Sequence, residues 1–335
     1  MTEEIYRGAH VGDNGRVAEE TDKTHESVRE EIKEFLIDDA EIGETLDSIN
    51  FDEIQRIFSE KIQKSIPDSE ARAHTISRPD VFLVTPEAFA KVGNPDANPL
   101  MSYMPQYDVI LVNVLEMRRV ASMYNVPIPL LTVKLLMHEQ AHAVSSHYDR
   151  QSRSGNRVVQ IGVQQLHMQR EGSSQAIFFN LLNEAINEKL ARMVLVEYLK
   201  SNPLSGVNHE DIDSIADIYK KPEAALLFFA ALHFLEALIA KISAKSHVEP
   251  DKVWQGLVHA EMMGLDLKNQ KVRGMLDAAV GKQGFTDELS RLNVIDDTEK
   301  MVQLMSKYGL IHNFDKFKNA FVRGVLIRRQ KKEQV

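Results

Sequence analysis

The sequence predicts a mainly helical α+β protein, and two observations support that fold class. Apolar residues recur at helical spacing through most of the 335 residues, which places them on one face of successive helices. Strand-like runs, which are short and rich in β-branched residues, are confined to positions 79–168. We therefore expect three parts: a helical, partly disordered N-terminal segment (1–78), a core with a small sheet (79–200) and a helical C-terminal subdomain (201–335).

The N-terminal segment contains two predicted amphipathic helices, at about 26–37 and 51–62. Asn50 is the expected N-cap of the second helix. The polar, glycine-containing stretch 1–30 is expected to be loose, and the polar run after Pro67 is interpreted as a linker. Packing against the core is the simplest role for this segment, and recruitment of a partner or inhibition of a site are alternatives.

The core is predicted to contain two strands, a hairpin and three helices. Pro129 suits the first turn of the second of these helices, because proline lacks the N–H that a first turn leaves unused. The predicted elements are, in order, strands at 81–84 and 107–113, helices at 114–123 and 129–147, a hairpin at 157–168 and a long helix at 175–199.

The C-terminal subdomain is helical in pattern almost throughout. Its basic tail, 328–332, is interpreted as a solvated helix end, because cations suit a helix C-terminus. Helices are predicted at 211–219, 223–243, 250–263, 272–280, 287–292, 296–308 and 314–328.

Composition narrows the class of protein. The chain is 43% hydrophobic and 27% charged, which is ordinary for a globular protein. Its net charge of −9 argues against a general nucleic-acid surface, which needs clustered Lys and Arg. The sequence contains neither a signal-peptide pattern nor the run of ~18 apolar residues that a membrane span needs, so we expect a cytoplasmic protein. The absence of cysteine excludes disulfides and thiolate ligands.

The helix predicted at 129–147 carries the motif H-E-x-x-H. His138 and His142 lie one helical turn apart and can direct two imidazoles at one metal ion. Glu139 projects from a neighbouring part of that face, where it can hold a metal-bound water. Two nitrogen ligands and a carboxylate base on one helix are what a zinc hydrolase needs. The alternative is a pair of ordinary core or solvated histidines.

A catalytic zinc site requires one more protein ligand. His147 lies five residues after His142 with no glycine between them, which does not match the metzincin pattern, and we expect it at the surface. Glu184 is the better candidate, because it lies on a helix whose first half is otherwise strongly apolar. Glu188, one turn later, could then accept the free ring N–H of a ligand histidine.

The two motifs together, H-E-x-x-H and N-E-A-I-N-E at 183–188, resemble those of the gluzincin, or thermolysin-like, zinc metallopeptidases. The resemblance implies a zincin-like core of a small sheet plus an active-site helix, with His138, His142 and Glu184 as Zn²⁺ ligands. It also implies Glu139 as general base on the zinc-bound water and Glu188 as the partner of a ligand histidine. The interval between the motifs is longer than in thermolysin-like enzymes, and no G-x-M-E-N stretch of the aminopeptidase branch is present.

Peptide hydrolysis also requires a donor for the developing oxyanion. Tyr219, which precedes a strongly apolar helix as in small bacterial gluzincin-like sequences, is the first candidate. His233 and Tyr198 are the second and third candidates, and packing is the simpler role for each.

The expected function is zinc-dependent hydrolysis of peptide bonds in a peptide or protein substrate. The predicted strand 107–113 is a candidate exposed edge that would pair with the substrate backbone. Two alternatives stay open: a narrow-specificity regulatory or processing protease, and a catalytically silent binding module on the same scaffold.

Overall fold

Helices dominate the part of the chain that the structure describes, and two small sheets accompany them, as expected for a mainly helical α+β protein. Several predicted regions lie outside the described residues. They are most of the N-terminal stretch expected to be loose, the linker after Pro67, the helices predicted at 211–219 and 314–328, and the basic tail. The computed structural model describes residues 29–66, 78–91, 99–105, 107–151, 157–168, 176–204, 207–208, 228–292 and 298–311.

Two N-terminal helices, α1 (Ala40–Ser48) and α2 (Phe51–Gln63), begin at side-chain caps. Asn50 accepts a hydrogen bond from the backbone N–H of Glu53, so the predicted cap of α2 is confirmed. The first predicted helix ends earlier than expected, because residues 33–35 form a 3₁₀ turn and Leu36 bridges to the first sheet.

The first sheet has three strands, β1 (Asp80–Val84), β2 (Met101–Met104) and β3 (Val109–Asn113), in the order β1-β3-β2. A short helix, α3 (Glu87–Lys91), follows β1. β3 pairs with β1 in parallel and with β2 in antiparallel orientation, and all five of its residues are buried. The prediction that this strand is an exposed edge is therefore wrong. Its unbroken apolar run, without the alternation of a half-exposed strand, is typical of a strand covered on both faces.

Two helices follow β3: α4 (Val114–Tyr124), capped by Asn113, and α5 (Ile128–Val144), which carries the H-E-x-x-H motif. Every residue of α5 except Pro129 and His142 is buried, so the helix runs through the core. It ends before the predicted 147, because Ser145 turns to an extended conformation and the next strand begins at His147.

The second sheet is antiparallel and has the order β4-β5-β6-β7. Its strands are β4 (His147–Gln151), β5 (Arg157–Ile161), β6 (Gln164–Met168) and β7 (Ala176–Phe178). The predicted hairpin is confirmed as β5 and β6, whose tight turn contains Gly162 at φ +57°. The long helix, α6 (Asn180–Ser201), begins five residues later than predicted, because 176–178 pair with β6 as a strand.

Five helices complete the described chain. The helix predicted at 250–263 has the predicted bounds, and the other four differ from prediction by a few residues at their described ends. They are α7 (Phe229–Ser246), α8 (Pro250–Met263), α9 (Gln270–Val280), α10 (Phe285–Leu289) and α11 (Thr298–Lys307).

α6 lies between two hydrophobic clusters and contributes to both. Its second half packs with α2 and α5, whereas its first half packs with α7, α8 and the helices that follow. This placement explains why α6, like α5, has almost no polar face: both are covered on most sides. Among the described residues, no single helix is both long and apolar enough to cross a membrane, and α4 and α5 meet that test only as a pair bent by 119°.

Candidate metal centre

α5 and α6 pack side by side and bring His138, His142 and Glu184 together. Nε2 of His138 lies 3.1 Å from Nε2 of His142 and 3.1 Å from Oε2 of Glu184. Nε2 of His142 lies 3.5 Å from the same Glu184 oxygen. Three potential ligand atoms from two helices therefore converge on one point.

These separations fit a metal ion. Zinc–ligand bonds of ~2.05 Å in a tetrahedral arrangement place neighbouring ligand atoms ~3.3 Å apart, and the three observed distances bracket that value. Two imidazoles and one carboxylate are also the donor set of catalytic zinc sites, which leave a fourth position for water or substrate. His138 is almost fully buried, whereas the side chains of His142 and Glu184 are 12% and 19% exposed, so the centre is reached from their side.

The charges of the cluster depend on one another. Burial alone would lower the pKa of His138, but hydrogen bonds to Glu184 and Glu188 outweigh it and raise that pKa to about 10. Burial would raise the pKa of Glu184, yet His142 and His138 hold it well below its usual range. The pKa of His142 is also raised, because Glu184 outweighs its burial. Without a metal ion, protons on the histidines therefore balance the carboxylates.

The orientation of His138 is fixed by Glu188. Oε2 of Glu188 lies 3.0 Å from Nδ1 of His138, so a proton on Nδ1 leaves the Nε2 lone pair directed at the ligand cluster. Oε1 of Glu188 faces Nζ of Lys134 at 3.6 Å and an Arg192 guanidinium nitrogen at 3.7 Å. Burial tends to raise the pKa of Glu188, but Lys134, His138 and Arg192 together lower it. Glu188 is therefore a stable buried anion.

His142 is held differently, by amide side chains. Nδ2 of Asn187 lies 3.1 Å from Nδ1 of His142, and the Asn183 amide lies 3.5 Å from the same atom. The Asn183 orientation that satisfies all its partners has its nitrogen donate to Ile161 O at 2.8 Å and to Glu261 Oε1 at 2.8 Å. Its oxygen then faces Nδ1 of His142, where it can accept the ring N–H.

Glu139 is buried beside this cluster and is held by the first sheet. Its Oε2 accepts a 2.7 Å hydrogen bond from the backbone N–H of Tyr103, on the outer edge of β2. Burial raises the pKa of Glu139 despite the opposing effect of the two histidines. The carboxylate is thus fixed in position, with its other oxygen available for proton transfer.

Two aromatic contacts border the centre. The ring of Phe228, which precedes α7, lies 4.5 Å from the ring of His138, centroid to centroid. His147 stacks on Tyr103 with centroids 5.5 Å apart. The expectation that His147 lies at the surface is wrong: it is 5% exposed, because it begins β4 and pairs with Ile161.

The three candidate oxyanion donors have different outcomes. Tyr219 lies outside the described residues. His233 is buried on α7. The hydroxyl of Tyr198 accepts a 3.0 Å hydrogen bond from the backbone N–H of Asn50, so it serves the start of α2. Tyr198 also lies fourteen residues beyond Glu184 on α6, which is ~21 Å along the helix axis.

Sequence reasoning missed several residues of the centre. Lys134 lies one turn before His138 on α5, and a lysine inside an apolar helix was the available signal. Asn187 repeats the spacing of Asn183 one turn later and faces the same histidine. Glu261, on α8, had no local signal, because its contacts with α5 and α6 arise only from the fold.

A buried carboxylate next to a three-ligand metal centre can take a proton from a polarised water, which is the chemistry of metal-assisted hydrolysis. Compared with known proteins, the chain matches no protein-family model, no curated protein and no solved structure.

Proposed function

We propose that the chain is a zinc-dependent metallopeptidase of the gluzincin type. The observation that carries this proposal is the convergence of His138, His142 and Glu184 within 3.5 Å of one another, with Glu139 next to His138 on the same helix. A purely structural cluster of two histidines and a carboxylate would not need an additional buried carboxylate held beside it.

Zinc is proposed because of the ligand chemistry. The centre offers two imidazole nitrogens and one carboxylate oxygen, and the ligand set of thermolysin-type zinc hydrolases is the same. Iron(II) oxygenases also use two histidines and one carboxylate, so metal analysis must separate the two ions. The adjacent base favours zinc, since hydrolysis needs a proton acceptor beside the ion.

In this proposal zinc would supply Lewis acidity, which polarises the scissile carbonyl and makes water nucleophilic near neutral pH. Glu139 takes the proton of the attacking water on the oxygen that Tyr103 does not hold, then delivers it to the leaving nitrogen. The raised pKa of Glu139, caused by burial, makes this carboxylate a stronger base for the first proton transfer. Glu188 and Asn183 keep the ring protons of the histidines on Nδ1.

The first experiment is metal analysis of the purified wild-type protein together with a peptide-library digest. We expect about one zinc per chain and cleavage at defined positions. Glu139→Gln should keep the zinc, because Glu139 is not a ligand, and should lose about 10²–10⁴-fold in cleavage rate. Glu236→Gln, which removes an exposed carboxylate on α7, is the matched control and should cleave normally.

The outcomes separate the alternatives. Absence of metal after reconstitution would exclude the zinc centre. Zinc binding with equal digests from wild type and Glu139→Gln would exclude the peptidase and favour the binding module. Cleavage confined to one or two library sequences would identify a narrow-specificity processing enzyme.

A further inference from the structure

Glu261 is a completely buried carboxylate that is not used in the reaction proposed above. It lies on α8 and is 0% exposed. Its partners are neutral donors: Oε1 accepts from Ser145 Oγ at 3.0 Å and Asn187 Nδ2 at 2.9 Å, and Oε2 accepts from the backbone N–H of Val163 at 3.1 Å. The Asn183 amide is a fourth donor, at 2.8 Å from Oε1. Burial raises the pKa of Glu261 to about 7 although these groups donate to it, so the hydrogen bonds compensate only in part for burying the charge.

The donors that meet at Glu261 belong to the elements that build the metal centre. Ser145 directly follows α5, Asn183 and Asn187 flank Glu184 on α6, and Val163 belongs to the β5–β6 turn. The turn fits closely: a Cβ at Gly162 would lie 1.8 Å from Glu261 Oε1. One carboxylate therefore fixes α5, α6 and the second sheet at the same point.

The amide of Asn183 transmits this arrangement to His142. An ionised carboxylate and a backbone carbonyl can only accept hydrogen bonds, so Glu261 and Ile161 O together require Asn183 to direct its nitrogen toward them. The Asn183 oxygen must then face Nδ1 of His142 and favour the tautomer with its proton on Nδ1. Asn187 Nδ2 lies 2.9 Å from Glu261 Oε1 and 3.1 Å from the same Nδ1, so Glu261 accepts one of its two N–H groups and only the other can compete for Nδ1.

We propose that Glu261 is a positioning residue for the metal centre: through Asn183 it keeps the proton of His142 on Nδ1 and the Nε2 lone pair directed at the metal. His138 has its own carboxylate, Glu188, in direct contact. Glu261 orients His142 in the same way, but through one intervening amide. The inference rests on the proposed zinc site, and its test does not depend on peptidase activity.

The decisive variant is Glu261→Gln. The N–H of Val163 needs an acceptor, so the glutamine oxygen takes the position of Oε2 and its NH₂ group takes that of Oε1, facing Asn183. Two NH₂ groups then oppose each other, and their repulsion favours the Asn183 orientation with its NH₂ group toward His142, at the cost of the hydrogen bond to Ile161 O. We expect zinc affinity to fall about 10–100-fold, as for other residues that orient a ligand histidine.

A second variant supplies the rescue. Asn183→Asp presents an acceptor to residue 261 and to His142, so in the double variant Asn183→Asp/Glu261→Gln the amide of residue 261 donates to residue 183 and His142 regains its acceptor. The bond to Ile161 O is lost, which lowers stability but leaves this acceptor in place. The double variant should bind zinc within about threefold of wild type. Asp277→Asn is the matched control: Asp277 accepts from Gly284 N and from Thr286 N and Oγ1, in the C-terminal helices, and its loss should lower stability without changing zinc affinity.

The measurements are zinc dissociation constants by chelator competition and ¹⁵N NMR of the histidine rings in the zinc-loaded protein. Protonated Nδ1 on His142 is expected in wild type and in the double variant. Unchanged zinc affinity in Glu261→Gln, or a double variant that binds no better than Glu261→Gln, overturns the proposal. Should Glu261→Gln not fold, the double variant must bind zinc more tightly than Asn183→Asp, and equal binding overturns the proposal.

The inference and the proposed function fail in different ways. Cleavage that depends on Glu139, combined with unchanged zinc binding in Glu261→Gln, removes the role of Glu261 and keeps the peptidase. Weakened zinc binding in Glu261→Gln, without cleavage that depends on Glu139, keeps the role of Glu261 and removes the peptidase.

Discussion

Zinc binding should release at least one proton at neutral pH, because the carboxylates of the centre hold protons on its histidines. Hydrogen bonds to Glu184 and Glu188 overcome the effect of burial and raise the pKa of His138 to about 10, and the pKa of His142 is also raised. Since zinc ligation through Nε2 requires a neutral imidazole, His138 must lose its extra proton and His142 must lose part or all of another.

The expected size of the effect distinguishes this centre from two ordinary histidines. With pKa values near 6.5, two histidines would together release only about 0.2 proton at pH 7.5. With its pKa at about 10, His138 alone releases nearly one proton at the same pH. The apparent zinc affinity should therefore rise about tenfold per pH unit for each proton released.

Calorimetric titration of the metal-free protein with zinc, in buffers of different ionisation enthalpy, measures the number of protons directly. Glu188→Gln is the internal test, because it removes one of the hydrogen bonds that raise the pKa of His138 and should reduce the release. A release near 0.2 proton in wild type would refute the coupling between the histidines and the carboxylates.

The same coupling predicts how the metal-free fold depends on pH. A histidine whose pKa is higher in the folded state stabilises the fold fully below its unfolded value of about 6.5, and this stabilisation disappears as pH rises toward about 10. The free energy of unfolding of the metal-free protein should thus fall between pH 6.5 and 9, and zinc should remove much of that slope.

Three substitutions test the surroundings of the centre. Lys134→Met leaves Glu188 without its neighbouring ammonium group and should lower the free energy of unfolding by about 3–5 kcal/mol in urea titrations, whereas an unchanged midpoint would contradict the buried pair. Gly162→Ala should lower the free energy of unfolding by at least ~1–2 kcal/mol because of the positive φ alone. It should also weaken zinc binding by displacing Glu261, and normal zinc affinity would show that the turn does not control Glu261. Tyr198→Phe should cost about 1–3 kcal/mol, because the N–H of Asn50 loses its acceptor, and should leave the cleavage rate unchanged; a slower reaction would return Tyr198 to the candidates for oxyanion donor.

Local patterns predicted the elements that carry the proposed ligands. His138 and His142 are one turn apart on a helix, and helical periodicity is a property of short windows of sequence. Glu184 and Glu188 stood out because carboxylates are rare inside an apolar helix. The structure brings three of these side chains within 3.5 Å and places the fourth against His138.

Long-range pairing determined what the patterns did not reveal. The predicted end of α5 and the predicted start of α6 were wrong, because His147 pairs with Ile161 and Ile177 pairs with Leu166. Neither pairing can be detected from the sequence next to the paired residue. Glu261 contacts Asn187 from 74 residues away in sequence, so only the packing of α8 against α6 reveals it. The central position of β3 was different, since its continuous apolar run already indicated burial on both faces.

The two histidines proposed as zinc ligands are oriented by carboxylates at different distances, and this difference yields a final prediction. Glu188 touches His138 directly, and its charge is balanced by Lys134 and Arg192. No such balance accompanies Glu261 among its hydrogen-bond partners, which are all neutral, and an amide separates it from His142. This separation would keep the Glu261 carboxylate, whose pKa burial raises to about 7, away from a bound ion, whose Lewis acidity a contacting negative charge would reduce.

The double variant Asn183→Asp/Glu261→Gln moves that charge into contact with His142 without changing the number of carboxylates. We expect zinc affinity close to that of wild type, because His142 keeps an acceptor, together with a kcat reduced about tenfold, because a more basic imidazole donates more charge to the ion. Zinc dissociation constants and steady-state cleavage of a peptide found in the library digest provide the two measurements. If the double variant has both the kcat and the zinc affinity of wild type, the amide between Glu261 and His142 has no electrostatic role. Glu261 then acts through the tautomer of His142 alone.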